Sequence, residues 1–558
     1  MSTVARVWQD MNLHERPLTI HRKLTTIMTA KLLQTTLILA LLSVISTPAQ
    51  EQSNVTVATP QRYATGIVFH DRNRNERPDA GEAGLANVRV SNGREVVATD
   101  ANGSYRLPIT DDTIIFVIKP RGYMTRLAAD NLPHFYYIYK PQGSPANYQY
   151  KGVAPTGELP ASIDFPLYER PEPDKFRVIL FGDTQPRDQQ EIDYIAHDVV
   201  EGLIGAEAAF GITLGDIMFD DLSLFESLNR TIATIGIPWY NTIGNHDINF
   251  DSPNHELSDE TFERVYGPSH YAFDYANVHF ITMNDVEWSG STPEKRGSYK
   301  GKLGERQLAF IRNNLSFVPK DRLVVLTMHI PLDDVEDRKE LLQLLSDRPH
   351  TLSLSAHTHI QRHLFFKAED GWTGAGAHHH LNHATVCGSW WTGAPDENGI
   401  PHATMRDGAP NGYSFATFDD NRYTIEFRPA RRPASHQMNI FAPEVIAPGE
   451  SARTEVLVNV FAGSERSKVE MRVRGTSEWT TLERTQREDP HFTRMKLQET
   501  SSVPPPGRKL PNLAKSTHLW MGRLPSNLPV GLHVIEVRTT DMFGQSYDDR
   551  RIIRVRQP

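Results

Sequence analysis

The sequence predicts an α/β core carrying a small all-β domain at each end, and three observations point there. Apolar runs alternate with a helical spacing through the middle of the chain. Each of those runs stops at a small or polar residue followed by Asp, Asn or His. Both flanks break into short alternating segments separated by glycine and asparagine turns. The 558 residues are too many for one core and suit roughly three domains.

The first segment reads as a targeting sequence. Lys31, Leu32 and Leu33 precede a short polar break, the apolar run Leu37 to Leu42, and then Thr47-Pro48-Ala49. A positive stretch, an apolar stretch and a small-x-small site describe a secretory signal peptide over residues 1–49. The run is too short to span a membrane. Residues 1–27 are polar and fit no signal, which makes Met28 a candidate start. A periplasmic or extracellular location is expected. Cys387 is the single cysteine, so no intrachain disulfide forms, and a chain able to build sizeable cores does not need one. The formal net charge of −9 argues against a nucleic-acid partner, because backbone binding needs a concentrated basic surface. Arginines are frequent in the C-terminal third but are interleaved with Glu and Asp.

Residues 50–150 read as a transthyretin- or immunoglobulin-like sandwich. Gly66 to Phe69, Val88 to Val90, Glu95 to Ala98, Ser104 to Leu107 and Ile114 to Ile118 are β-rich, with Asn92-Gly93 and Asn102-Gly103 as tight turns. Asp71, Asn73, Asn75, Asp79 and Glu82 stand at the oxygen-ligand spacing of a calcium loop. Glu76 occupies the position an EF-hand reserves for glycine, and no helix flanks the loop. It resembles instead the calcium-binding turn of bacterial surface B-type repeats. The alternative is a polar loop that caps its own backbone. Residues 151–175, with several prolines, read as a linker, part of it lying along the next domain as an edge strand.

Residues 176–427 form the α/β core. Arg177 to Phe181 leads to Gly182-Asp183, and Ala208 to Leu214 leads to Gly215-Asp216. Pro238 to Ile243 leads to Gly244-Asn245-His246-Asp247. Leu323 to Thr327 leads to His329, and Thr351 to Ser355 leads to His357 and His359. Helical spacing over Gln189 to Gly202 lies between the first two strands. Polar residues thus follow the carboxyl end of every strand, where α/β folds place ligands. Glycine lets the chain turn sharply there and approach an ion closely.

This set resembles the calcineurin-like metallophosphoesterases, whose pattern is Asp-x-His, Gly-Asp, Gly-Asn-His-Asp/Glu, a lone His and Gly-His-x-His. The resemblance covers about Phe176 to Phe418 and implies a central four-layer β-sandwich flanked by helices. It implies one metal on Asp183, His359 and Gln185, a second on Asn245, His329 and His357, and Asp216 bridging them. His246 would protonate the leaving oxygen, with Asp247 orienting it, while a hydroxide shared by the ions attacks phosphorus. Imidazole and carboxylate donors suit Mn, Fe or Zn. Gln185 stands where the family usually has His and is a weaker donor. The run after Asp216 lacks the arginine of the phosphoprotein phosphatases, and its acid is displaced to Asp220.

The stretch from Asp370 to Tyr413 is rich in His, Trp and Gly and is where a substrate wall is expected. Arg187, His378, His379, Trp390 and Asn411 are the candidate substrate contacts, with Lys300 as a further cation. Trp390 and Trp391 are equally read as packing residues. Cys387 has no dedicated base and reads as a buried structural thiol. Cys387 to Trp391 and Asp407 to Tyr413 resemble a bacterial subgroup with extra N-terminal and C-terminal β domains.

Residues 428–445 are a basic, proline-containing connector. Residues 446–558 read as an immunoglobulin- or fibronectin-like sandwich. The expected activity is hydrolysis of a small phosphate mono- or diester, with a nuclease or a surface-binding protein with a weak metal centre as alternatives. Monomer and dimer are equally open.

Overall fold

The computed structural model describes residues 61–503 and 507–557, so the predicted signal peptide and its Met28 start lie outside the described residues. No helix among the described residues is long and apolar enough to cross a membrane.

Two sheets make the central sandwich. The first orders Trp239–Thr242, Phe210–Leu214, Lys175–Phe181, Gly412–Asp419 and Arg422–Pro429. Its first three strands are parallel, and the last two close it antiparallel. The second orders Tyr271–Tyr275, Val278–Thr282, Leu323–Thr327, Thr351–Ser355, His378–Asn382 and Arg362–Phe366. Its four middle strands are parallel. Near-continuous apolar runs such as Leu323–Leu326 make such strands, because both faces are buried. The sheets meet through Phe210 against Phe280 and Phe273, with ring centroids 5.3 and 5.4 Å apart, and Phe280 against Phe418 at 5.5 Å.

The helices Gln189–Ile195, Phe225–Ala233, Gly304–Leu315 and Arg338–Leu345 each bury one face in the same core. Asp188 starts the first of them by accepting from the Glu191 amide at 3.0 Å. The expected helix over Gln189 to Gly202 is present but loosens, passing through a π turn at Ala196–Val200 and a 3₁₀ turn at Glu201–Leu203.

The N-terminal unit is a sandwich of two four-stranded sheets. It does not sit on a linker. Within 151–175, Phe165–Glu169 is an inner strand of the N-terminal sheet, parallel to Arg62–His70 and antiparallel to Tyr123–Met124. Ile163, Phe165 and Leu167 are buried at alternate positions, a period-2 signal hidden among prolines. The N-terminal unit also shares its core with the central sandwich: Phe116 packs on Phe310 at 5.7 Å and Phe135 on Tyr271 at 5.0 Å. Across the same junction, Arg89 pairs with Asp274 at 2.6 Å, both buried.

The C-terminal unit has its own core, built from a four- and a five-stranded sheet. Met438–Phe441, expected as connector, is a strand of the first of these, pairing with Glu455–Val460. A helix at Pro490–Ser501 was not anticipated from the sequence, although it carries a start signal. Asp489 caps it by accepting from the Phe492 amide at 2.7 Å, and Pro490 fills the first turn. His518 of this unit pairs with Asp407 at 2.9 Å, and Asp407 accepts the Gln361 amide at 2.7 Å, two residues from His359.

Candidate metal centre

Seven side chains from five strand ends converge at one edge of the sandwich. Asp183 and Gln185 follow Lys175–Phe181, Asp216 follows Phe210–Leu214, and Asn245 follows Trp239–Thr242. His329 follows Leu323–Thr327, and His357 and His359 follow Thr351–Ser355. Asp216, His329 and His357 present ligand atoms that all lie within 4.8 Å of one another.

The backbone is held in unusual geometry to do this. Gln185, Asp216, His357 and His359 have φ of 40°, 47°, 71° and 53°, left-handed values that cost a non-glycine residue ~1–3 kcal/mol. Asp220, Trp390 and Trp391 beside them share it, at 67°, 57° and 53°. Such strain persists only where the surrounding structure enforces it, and here it concentrates around one point. The glycines have a steric reason as well. A Cβ at Gly244 would lie 2.0 Å from the Asp216 amide nitrogen, and one at Gly215 would lie 2.5 Å from His329 Nδ1.

Two histidines are aimed from behind. His329 Nδ1 donates to the Leu214 carbonyl at 2.9 Å, and His359 Nδ1 to the Gly388 carbonyl at 2.5 Å. With Nδ1 engaged in this way, each ring turns its Nε2 to the centre. His329 Nε2 then faces Asp216 Oδ1 at 3.2 Å, Asn245 Oδ1 at 3.1 Å and His357 Nδ1 at 3.1 Å. His359 Nε2 faces Asp183 Oδ2 at 3.1 Å, and that buried oxygen accepts no hydrogen bond. Two buried carboxylates gathered with imidazoles and an amide oxygen require positive charge among them, from protons or from metal ions. The same demand acts on His329 itself. Burial alone would lower its pKa, yet Asp216 overrides burial and pushes it up to about 10. His357 is kept neutral, at about 4, by burial and then by His329. The set of carboxylate, imidazole and amide donors fits divalent metal ions. Asp216 turns one oxygen to each half: Oδ1 toward His329, and Oδ2 to Gln185 Nε2 at 3.1 Å. Gln185 Oε1 then turns toward Cys387 Sγ, 3.8 Å away. The Cys387 thiol is buried, and burial raises its pKa well above the usual range, so it is no nucleophile.

His246 stands beside this cluster and is partly exposed. Its amide donates to Asp216 Oδ1 at 2.9 Å, its ring stacks on Phe219 at 4.6 Å, and its Nδ1 meets Asp220 Oδ1 at 2.5 Å. Burial would lower its pKa, but Asp216 and the Asp220 contact outweigh that and raise it.

Asp247, expected to orient His246, does something else. It accepts backbone amides from Ile217 at 3.0 Å, Met218 at 2.9 Å and Gly244 at 2.8 Å, bracing the loops that carry Asp216 and Asn245. Asp220 is the orienting acid that sequence reasoning passed over, and its displaced position after Gly215-Asp216 was the available signal. Asp285 is a second missed brace, accepting the His329 and Ile330 amides at 3.1 and 3.0 Å. Asp247→Ala leaves three buried amides unpaired, at ~1–3 kcal/mol each. Both the melting temperature and the metal content of that variant are expected to fall, read by thermal denaturation and elemental analysis.

The expected substrate wall divides. His378 and His379 lie inside the second sheet, fully paired. His378 bonds Thr351 Oγ1 at 2.8 Å and Ser353 Oγ at 2.7 Å, and His379 bonds His363 at 2.9 Å and Tyr423 Oη at 2.8 Å. Burial pushes the His378 pKa down to about 3. His380 bonds Ser353 and Ser355 in the same way, so the His run is sheet interior and not an anion site. Asn411 is also a buried brace, donating to Asp198 at 2.7 Å and the Val386 carbonyl at 2.9 Å. Lys300 is engaged by Glu336 at 2.6 Å and Glu287 at 3.2 Å.

Trp390 and Arg187 remain at the centre. The Trp390 ring lies 3.9 Å from that of His359, while Trp391 is buried against Tyr194. Arg187 sits over Phe219 at 4.1 Å and donates to the Trp390 carbonyl at 3.0 Å. Tyr299, not anticipated, stands edge-on to His357 at 6.0 Å with its ring partly exposed.

The N-terminal loop closes on itself. Asp71 accepts the Asn75 and Glu76 amides at 3.2 and 3.0 Å, and Glu82 accepts the Arg72 and Asp79 amides at 2.8 and 3.1 Å. Asp79 accepts the side-chain amides of Asn73 and Asn75 at 2.8 and 2.7 Å. These contacts cap the loop's own backbone and side chains.

Residues 176–361 match the family described as calcineurin-like phosphoesterase. Residues 72–154 match the N terminal of calcineurin-like phosphoesterase, and residues 380–547 its C terminal. No curated protein shows significant similarity to the chain. Among solved structures, the chain is similar to a purple acid phosphatase isolated from yellow lupin (Lupinus luteus) seeds. Identity is 13% and the TM-score 0.33, over 62% of this chain and 67% of that one.

Proposed function

The chain is a calcineurin-like phosphoesterase with that family's N-terminal and C-terminal domains, and from this premise we propose an exported two-metal hydrolase of small phosphate mono- or diesters. The observation that carries the two-metal reading is the gathering of ligand atoms around two points: His359 Nε2 with Asp183 Oδ2 on one side, and His329 Nε2 with Asp216 Oδ1 and Asn245 Oδ1 on the other. When bound, two divalent ions supply a Lewis acid for the phosphoryl oxygens and lower the pKa of a water.

The chain's own residues do the rest. Asp183, His359 and Gln185 would hold one ion, Asn245, His329 and His357 would hold the other, and Asp216 would serve both. The Leu214 and Gly388 carbonyls hold Nδ1 of His329 and His359, so that Nε2 of each ring is turned to the centre; His329 would give up its Nε2 proton as an ion enters. His246 delivers a proton to the leaving alkoxide from Nε2, while Asp220 fixes Nδ1 and Phe219 supports the ring. Trp390 and Tyr299 form an aromatic wall for the alcohol portion. The positive–apolar–small pattern of residues 31–49 supports export to the periplasm or beyond.

Hydrolysis of nitrophenyl phosphate and bis-nitrophenyl phosphate tests this, with Mn, Fe or Zn added and then removed by chelation. Turnover that follows metal loading is expected. No turnover of either ester with any of the three metals sinks the proposal.

A further inference from the structure

Two guanidinium groups share one carboxylate at the rim of the centre. Arg187 Nη1 reaches Glu191 Oε1 at 3.4 Å and the Trp390 carbonyl at 3.0 Å. Arg508 Nη1, from the C-terminal unit, reaches the same two atoms at 2.6 and 3.1 Å. Glu191 is 2% exposed, whereas Arg187 is 27% and Arg508 46% exposed. The carboxylate is covered and the cations face solvent, leaving one positive charge in excess. In the hydrogen bonds made among the described residues, each guanidinium uses only Nη1, which keeps the rest of the fork for a ligand.

The pair sits beside groups that handle phosphate. Phe219 carries Arg187 over its ring and stacks on His246, and Trp390, whose carbonyl both arginines hold, packs its ring at a tilt against His359. Arg508 is fixed in place by the backbone: its carbonyl accepts the Gly393 amide at 2.8 Å. A Cβ on the preceding Gly507 would lie 2.3 Å from the Gly393 carbonyl oxygen, so the two segments pass in close contact.

We propose that Arg187 and Arg508 form an anion subsite next to the metal centre, which binds a second anionic group, carboxylate or phosphate, on the alcohol portion of the ester. The inference rests on the phosphoesterase reading and deepens it. The preferred substrates are polyanionic organic phosphates, and the C-terminal unit completes the active site by supplying Arg508. An arginine fork binds a carboxylate or phosphate through two parallel hydrogen bonds, so the subsite selects geometry as well as charge.

The experiment compares two esters that differ by one carboxylate, glycerol phosphate and glycerate phosphate, on the metal-loaded full chain. Wild type is expected to favour the carboxylate-bearing ester in kcat/KM. Arg508→Gln is expected to lose about tenfold on that ester, mainly in KM, with a much smaller loss on glycerol phosphate. Arg508→Lys, which keeps charge but not the fork, is expected to fall between. Equal losses on both esters in both variants, with a lowered melting temperature, would mean that Arg508 only clamps the C-terminal unit, and would overturn the subsite. Wild type cleaving both esters equally would also overturn it while leaving the phosphoesterase reading intact. Cleavage of neither ester, nor of the nitrophenyl esters, removes that reading and the subsite with it.

Discussion

Asp216→Asn is expected to empty both halves of the centre and abolish most of the activity, whereas Gln185→Ala costs far less. The reason is position and charge. Asp216 offers one oxygen toward His329 and the other toward Gln185, and its carbonyl accepts the Gln185 amide at 3.1 Å. Two cations close together repel, and an anion between them is the most effective offset. Replacing it with a neutral amide removes that anion from the point where both ions need it. Gln185 supplies at best one neutral oxygen. Loss of a supporting partner of a metal site costs ~10–100-fold, and loss of the shared carboxylate is expected to exceed the upper end of that range. Elemental analysis is the companion measurement. If Asp216→Asn kept two ions and full rate while Gln185→Ala emptied the site, the assignment of ligands would be wrong.

His246→Asn is expected to keep its metal and lose rate on alkyl esters by ~10²–10⁴-fold. The loss should shrink on nitrophenyl esters, whose leaving group departs without a proton. Asp220→Asn should show the same dependence on leaving group with a smaller loss, because it withdraws the partner of Nδ1 and leaves the imidazole in place. Asp220 tests the account well because it touches none of the seven candidate ligands through the contacts described. Equal losses on both ester types would assign His246 to holding phosphate. Loss of an ion would make it a ligand, and the proton donor would then have to be sought elsewhere, with His378, His379 and His380 excluded by their burial.

The seven candidate ligands were legible because each lies within a few residues of the end of a buried strand, and for Asp183, Asp216 and Asn245 a glycine comes directly before, a local pattern readable residue by residue. The sandwich followed from the same apolar runs. What failed was inference from nearness in sequence. Asp247 adjoins His246, yet its carboxylate points back to three amides, while Asp220, 26 positions earlier, reaches the ring. The histidines at 378–380 looked like a polar wall, but they form a strand between two others, where Ser353 and Ser355 on one neighbouring strand bond His378 and His380, and His363 and Tyr423 bond His379. Alternation on the pleat would have put His378 and His380 on one face. Prolines masked the strand at Phe165–Glu169, whose buried alternate residues are nonetheless visible once sought. Arg508 was out of reach, since nothing local ties it to Glu191, 317 positions away.

The most direct test of the central claim is a metal titration of the chelated full-length chain, with binding followed by calorimetry and activity followed in parallel. Two equivalents of Mn or Zn per chain are expected, with activity rising only as the second is filled, and neither retained tightly by Asp216→Asn. One equivalent at full activity, or activity that survives complete chelation, would contradict it.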